Sequence, residues 1–114
     1  MLFIIIFDIL TQEEFCMLKQ LNKDNFKDEL KNGLKLVEFY APWCGYCKKQ
    51  EDILQELDKV YVGQVNTDED AELAIRYGIH SFPTFLVFKE GKEVERFSGL
   101  RNKFDLMNIV AKYI

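Results

Sequence analysis

The sequence predicts a single α/β domain, and three observations carry that prediction. Apolar runs with strand character alternate with stretches of helical periodicity along most of the chain. One such run, Leu34 to Ala41, leads straight into Pro42-Trp43-Cys44-Gly45-Tyr46-Cys47-Lys48 and then a helical stretch, and the last third reads as a hairpin followed by a helix. With 114 residues, 48% of them hydrophobic and 14% aromatic, the chain can fill one core and is not composed like a disordered segment. Its net charge of -4 is spread in a mixed pattern, which argues against a nucleic-acid surface. Pairs such as Lys48-Lys49 read as solvated helix face.

Taken in order, residues 1–16 form an N-terminal extension of uncertain role. Leu2 to Phe7 is strongly apolar, yet no basic residue precedes it, Asp8 stops it, and no small-residue cleavage site follows, so it makes a poor signal peptide. It is too short to span a bilayer, and membrane attachment is not expected. Either Met17 is the natural start, or the extension packs on the domain, or it binds a membrane or partner. Thr11-Gln12-Glu13-Glu14 has capping-box spacing for a short helix through Phe15 and Leu18, whereas Met17 to Leu21 alternates like a strand, and the two readings compete.

The domain proper covers residues 17–114. After the first strand, Asn22 or Asp24 is the candidate cap for a helix whose stripe is Phe26, Leu30 and Leu34, closed by Asn32-Gly33. A buried strand runs from Leu34 to Tyr40, and residues 46–59 place Ile53, Leu54 and Leu57 on one helical face. Val60 to Val65 returns as a strand, giving a βαβ unit with the two cysteines at its first turn. A short helix, Asp70 to Tyr77, is closed by Gly78. Thr84 to Phe88 and Glu93 to Phe97 flank the turn Lys89-Glu90-Gly91-Lys92, and a last helix from Asn102 to Tyr113 offers Phe104, Met107 and Val110-Ala111 to the sheet.

Cys44 and Cys47 thus sit where a strand becomes a helix. Unpaired backbone N–H groups and the positive end of the macrodipole favour an anion there, so a thiolate on Cys44 is expected to be stabilised. The spacing of three returns Cys47 to the same side of the first turn, within disulfide reach. Three cysteines are too few and too unevenly spaced for a disulfide-stapled secreted scaffold, which points to one redox-active pair in a reducing compartment. A zinc site would need Cys16 and His80 as further ligands, and nothing in their spacing recommends it, so no metal is expected.

Several separated segments resemble the thioredoxin family: Leu36 to Ala41, Trp43-Cys44-Gly45-Tyr46-Cys47-Lys48, Val65-Asn66-Thr67-Asp68, and Tyr77 to Thr84 running into Phe88-Lys89-Glu90-Gly91. The resemblance spans residues 17–114. It implies the thioredoxin fold, a central mixed sheet of four or five strands flanked by helices, and thiol–disulfide oxidoreductase activity. It also implies a cis peptide before Pro83, and no cofactor beyond a redox-active Cys44-Cys47 disulfide. The implied partners are disulfide-containing client proteins and a flavin-containing thioredoxin reductase. With no export signal visible and no dimerisation module, the expectation is a cytoplasmic, monomeric reductant; an exported oxidant or isomerase and a redox-inert binding domain are the alternatives.

On this reading Cys44, partly exposed, attacks a substrate disulfide, and the less exposed Cys47 resolves the mixed disulfide. Glu38, a carboxylate in an otherwise apolar strand, is either on an exposed face or buried with a raised pKa, and if buried it accepts the Cys47 proton. The lysine that the family places near this acid is replaced by Gln64, which should push that pKa higher still. Trp43 either forms substrate-contact surface or packs its own loop. Phe82, ahead of Pro83, would turn its backbone towards the cysteines and pair with an extended substrate chain. Gly45 allows close approach, and Gly99, matching a glycine at the family's substrate groove, either does the same or is an ordinary turn glycine. Tyr46 stands where thioredoxins have proline, and its added N–H near the Cys44 sulfur should make the disulfide a better oxidant than an ordinary thioredoxin's.

Overall fold

A computed structural model describes residues 17–57 and 59–114; the expectations for the apolar Leu2 to Phe7 run, the Thr11 capping box and Cys16 lie outside these residues. The described elements run β1 (Met17–Leu21), α1 (Phe26–Leu30), β2 (Leu34–Tyr40), α2 (Gly45–Gln55), β3 (Tyr61–Asn66), α3 (Ala71–Arg76), β4 (Thr84–Lys89), β5 (Lys92–Ser98) and α4 (Lys103–Ala111). They build one five-stranded sheet in the order β1-β3-β2-β4-β5. β3 is parallel to both β1 and β2, and the β2-β4 and β4-β5 pairs are antiparallel. The sheet is therefore mixed, as the family resemblance implied.

Central position explains the composition of β2. A strand covered on both faces needs apolar side chains at odd and even positions alike. Val37 and Phe39 join Phe26 and Leu30 of α1 and Leu73 of α3 in one core cluster. Leu36 joins Leu54 of α2 and Leu106 and Val110 of α4 in the other. Side chains alternate along a strand, so Glu38 shares the face of Leu36 and lies on the α2 side of the sheet. Only 1% of it is exposed, which excludes the solvent-facing alternative.

Three local expectations change. The cap of α1 is Asn25 rather than Asn22 or Asp24, and it makes no side-chain cap bond. Asn22 instead accepts from the Asp24 and Asn25 N–H groups through Oδ1, a turn that leads into the helix one step later. Helix α2 stops at Gln55 instead of continuing to residue 59, because the Glu56 N–H turns back to the Ile53 and Leu54 carbonyls. Leu57 still packs in the core, from the turn beyond the helix. Finally, Phe104 is 73% exposed. α4 faces the sheet along Leu106 and Val110, four residues apart, and a residue two positions before Leu106 projects away from that face.

Candidate active site

The apolar strand β2 ends at Tyr40, and a tight turn closed by the Cys44 N–H on the Ala41 carbonyl (3.1 Å) delivers the chain to α2. Cys44 is the N-cap, in extended conformation, and its Sγ accepts the Cys47 N–H at 3.2 Å. Helix caps bond the second or third helical N–H, and here the third is in reach. The backbone donor on the Cys44 sulfur is therefore that of Cys47, not that of Tyr46 as the proline replacement suggested. The Cys44 thiol also lies 3.7 Å from the Phe82 carbonyl oxygen, to which it donates. Both cysteines are free thiols. Their exposures, 7% for Cys44 and 5% for Cys47, do not separate them as expected, because the Phe82 segment covers the first as the strand end covers the second.

What separates them is their surroundings. Above Cys44 stands an apolar rim: Trp43 is 67% exposed and Tyr46 63%. The Trp43 ring meets Phe82 edge-on at 5.7 Å, and its Nε1 donates to Asp68 Oδ1 at 3.4 Å, so a half-open loop is held without being buried. The Phe82-Pro83 peptide is cis. Pro83 is buried, and its carbonyl accepts the Gly99 N–H at 2.9 Å. Gly99 has φ +93°, which requires glycine, while a side chain there or at Gly45 would meet open space. Packing within the chain thus demands neither residue. The loop after Gly99 is clamped to α2 by Gln50, whose amide pairs with the N–H of Arg101 at 2.8 Å and its carbonyl at 2.9 Å.

Behind Cys47 the environment is polar and buried. Glu38 Oε1 accepts from Gln64 Nε2 at 3.1 Å, and Glu38 Oε2 has no partner. Burial pushes the Glu38 carboxyl up to about 7; the Gln64 hydrogen bond opposes this, and the nearby Glu51 charge adds to it. The Cys47 thiol is pushed up to about 12, first by burial and then by its hydrogen bond to Cys44, with the Ala41 backbone opposing and the Cys44 and Glu38 charges adding. A thiol that so strongly keeps its proton can resolve a mixed disulfide only with a base at hand.

Of the residues singled out from sequence, Cys44, Cys47, Trp43, Gly45, Tyr46, Phe82, Pro83 and Gly99 therefore gather at one end of the sheet, with Glu38 beneath. His80 is exposed on the surface. Sequence reasoning missed Glu51 and Gln50. The signal for both was present, since they lie four and three residues after Cys47 and so share its helical face.

Comparison with known proteins agrees with the family resemblance and with the fold. The family model described as Thioredoxin matches residues 17–112. The thioredoxin of Chlamydia caviae is 38% identical over 101 residues, covering 85% of this chain and 99% of the relative. That of Bacillus subtilis is 39% identical over 95 residues, covering 79% and 91%. Among solved structures, a mutant thioredoxin from Halobacterium salinarum superposes with a TM-score of 0.78 at 26% identity, covering 88% of this chain and 93% of that one. With its dithiol turn, mixed sheet and near full-length relatives in agreement, the chain belongs to the thioredoxin family.

Proposed function

We propose that Cys44 is the nucleophile, Cys47 the resolving thiol and Glu38 the proton acceptor of a dithiol–disulfide cycle that reduces protein disulfides. The reaction class comes with the family: thioredoxins are thiol–disulfide oxidoreductases and protein-disulfide reductases. The observation behind the division of roles is the asymmetry between the two thiols. Burial and the neighbouring Cys44 hold Cys47 protonated, whereas the Cys44 sulfur accepts the Cys47 backbone N–H and faces the open rim.

In the first step the Cys44 thiol gives its proton to water, and its thiolate attacks a substrate disulfide, bonding one substrate sulfur while the other leaves as a thiolate that takes up a proton from water. In the second, Cys47 passes its proton to Glu38 and its sulfur attacks Cys44. The Cys44–substrate bond breaks, the second substrate sulfur leaves as a thiolate that is protonated from water, and the enzyme is left as the Cys44-Cys47 disulfide. The substrate chain lies along Trp43, Gly45, Tyr46, Phe82, Pro83 and Gly99, with the backbone beside Phe82 pairing to it as an added strand. The Cys44-Cys47 pair is the only redox group this cycle needs. A flavin-containing reductase returns it to the dithiol, and the protein acts as a monomer in the cytoplasm; the pattern of three cysteines, with one reactive pair, supports a reducing setting.

Turnover of insulin disulfides by the full chain, with a small dithiol as electron source, tests the assignment. Cys44→Ser is expected to be inactive and Cys47→Ser to accumulate a mixed disulfide on Cys44. Full activity of Cys44→Ser overturns the roles. Equilibration with glutathione buffers at an oxidant's potential overturns the direction.

A further inference from the structure

The polar region behind Cys47 is more ordered than proton acceptance by Glu38 alone requires. Gln64 Nε2 carries two hydrogens, and both are used, one on Glu38 Oε1 at 3.1 Å and the other on Glu51 Oε2 at 2.5 Å. Gln64 Oε1 accepts from Gln20 Nε2 at 3.3 Å, and Gln20 Oε1 accepts from the Tyr40 hydroxyl at 3.3 Å. This chain fixes the amide, because flipping it would point its oxygen at two carboxylates. A cleft of about 240 Å3 opens over it, lined by Gln20, Tyr40, Cys47, Lys48, Glu51 and Gln64. Glu38 lies below the cleft with Oε1 occupied and Oε2 unpartnered.

We propose that Glu51 is a positioning residue for the reaction: through the Gln64 amide it pins Glu38 Oε1, so that the proton from Cys47 lands on Oε2, and its charge sets the pH range of that transfer. The proposal rests on the reading of Glu38 as proton acceptor. Oε1 already accepts from Gln64, so a protonated Glu38 carries its hydrogen on Oε2. The titratable and polar groups that act on Glu38 are Glu51 and Cys47 on α2, Gln64 on β3 and Tyr40 on β2, while its register partner on β4 is the apolar Phe85; Gln20 and Lys48 line the cleft beside them. Glu69 acts on Tyr40. Lys48 is the one cation lining the cleft among the described residues. Burial is the main cause of the raised Glu38 value and Glu51 adds to it, so removing the Glu51 charge makes Glu38 easier to ionise.

The test follows the Glu38 carboxyl by carbon NMR through a pH titration of the reduced full chain, alongside the pH profile of insulin reduction. Glu51→Gln, which keeps an acceptor for Gln64 but removes the charge, is expected to move both the Glu38 midpoint and the acid limb of the profile down by about half a pH unit. Glu51→Ala should move them the same way, which keeps the question open to measurement if one variant folds poorly. In a Glu38→Gln background the Glu51 change should no longer move the profile. If Glu51→Gln lowers thermal stability but leaves the Glu38 midpoint in place, Glu51 is structural and the proposal is overturned, while a Glu38→Gln effect would leave the Glu38 reading standing. If Glu38→Gln itself leaves the profile unchanged, the failure lies in that reading.

Discussion

The two cysteines stand on the same helical turn and are equally covered, yet one faces an exposed aromatic rim and the other an open cleft lined largely by polar side chains. Trp43, Tyr46 and Phe82 surround Cys44 with apolar surface and unhindered backbone, which suits a passing polypeptide. Glu38, Gln64, Glu51 and Gln20 surround the approach to Cys47 with hydrogen-bonding groups, which suits moving a proton. If the proposed order of attack holds, accessible area does not set it. On that proposal the order follows from which sulfur is supplied with donors and which is made to keep its hydrogen.

The comparison breaks most completely at the sulfurs themselves. Cys44→Ser should reduce insulin at the uncatalysed rate, whereas Cys47→Ser should still attack and then stall as a mixed disulfide visible by mass spectrometry. Next in size is the cleft. Glu38→Gln should slow resolution of the mixed disulfide by about 100-fold, the effect of losing a general base, with little change in the first attack when the two steps are separated by rapid quench.

The same carboxylate also makes stability depend on pH. Its ordinary value is 4.5 and its folded value about 7, so between these limits the folded chain keeps a proton that the unfolded chain releases. Stability contributed by Glu38 is full below about pH 4.5, is lost as pH rises, and is gone above about pH 7. At 1.36 kcal/mol for each pH unit, the loss is roughly 3 kcal/mol. In urea denaturation Glu38→Gln should therefore exceed the wild type at pH 8 by roughly 2 kcal/mol and match it near pH 4.

On the rim the effects are smaller. Trp43→Ala should raise KM for insulin by about tenfold while leaving a small aromatic disulfide almost unaffected, since only the long substrate reaches the aromatic surface. The smallest effect is expected at Tyr46. Because Cys44 Sγ takes its backbone bond from Cys47, Tyr46→Pro leaves that bond in place, and glutathione equilibration should show a potential lowered by less than about 30 mV.

How much of this was legible in the sequence depended on the range of the forces involved. Period-two and helical patterns placed β2, β4 and the dithiol turn, because those elements are set by local alternation and by burial of both sheet faces. The Asn25 cap and the early end of α2 were not readable, since each depends on which of several neighbouring groups wins one hydrogen bond. Phe104 misled because an apolar residue on a helix does not announce its azimuth relative to the sheet. At the site, Cys44, Cys47, Glu38 and Pro83 followed from motif and resemblance. The rest of the cleft did not: Gln20 reaches Gln64 through the parallel pairing of β1 with β3, and Glu51 reaches it from α2, contacts that no local pattern in the sequence announces.

The central claim, that surroundings and not exposure divide the labour between the two sulfurs, is tested most directly by alkylating the reduced protein with less than one equivalent of iodoacetamide at pH 7 and locating the label by peptide mass. Label on Cys44 with Cys47 spared is the expected result, and label on Cys47 ahead of Cys44, or equal label on both, contradicts the account.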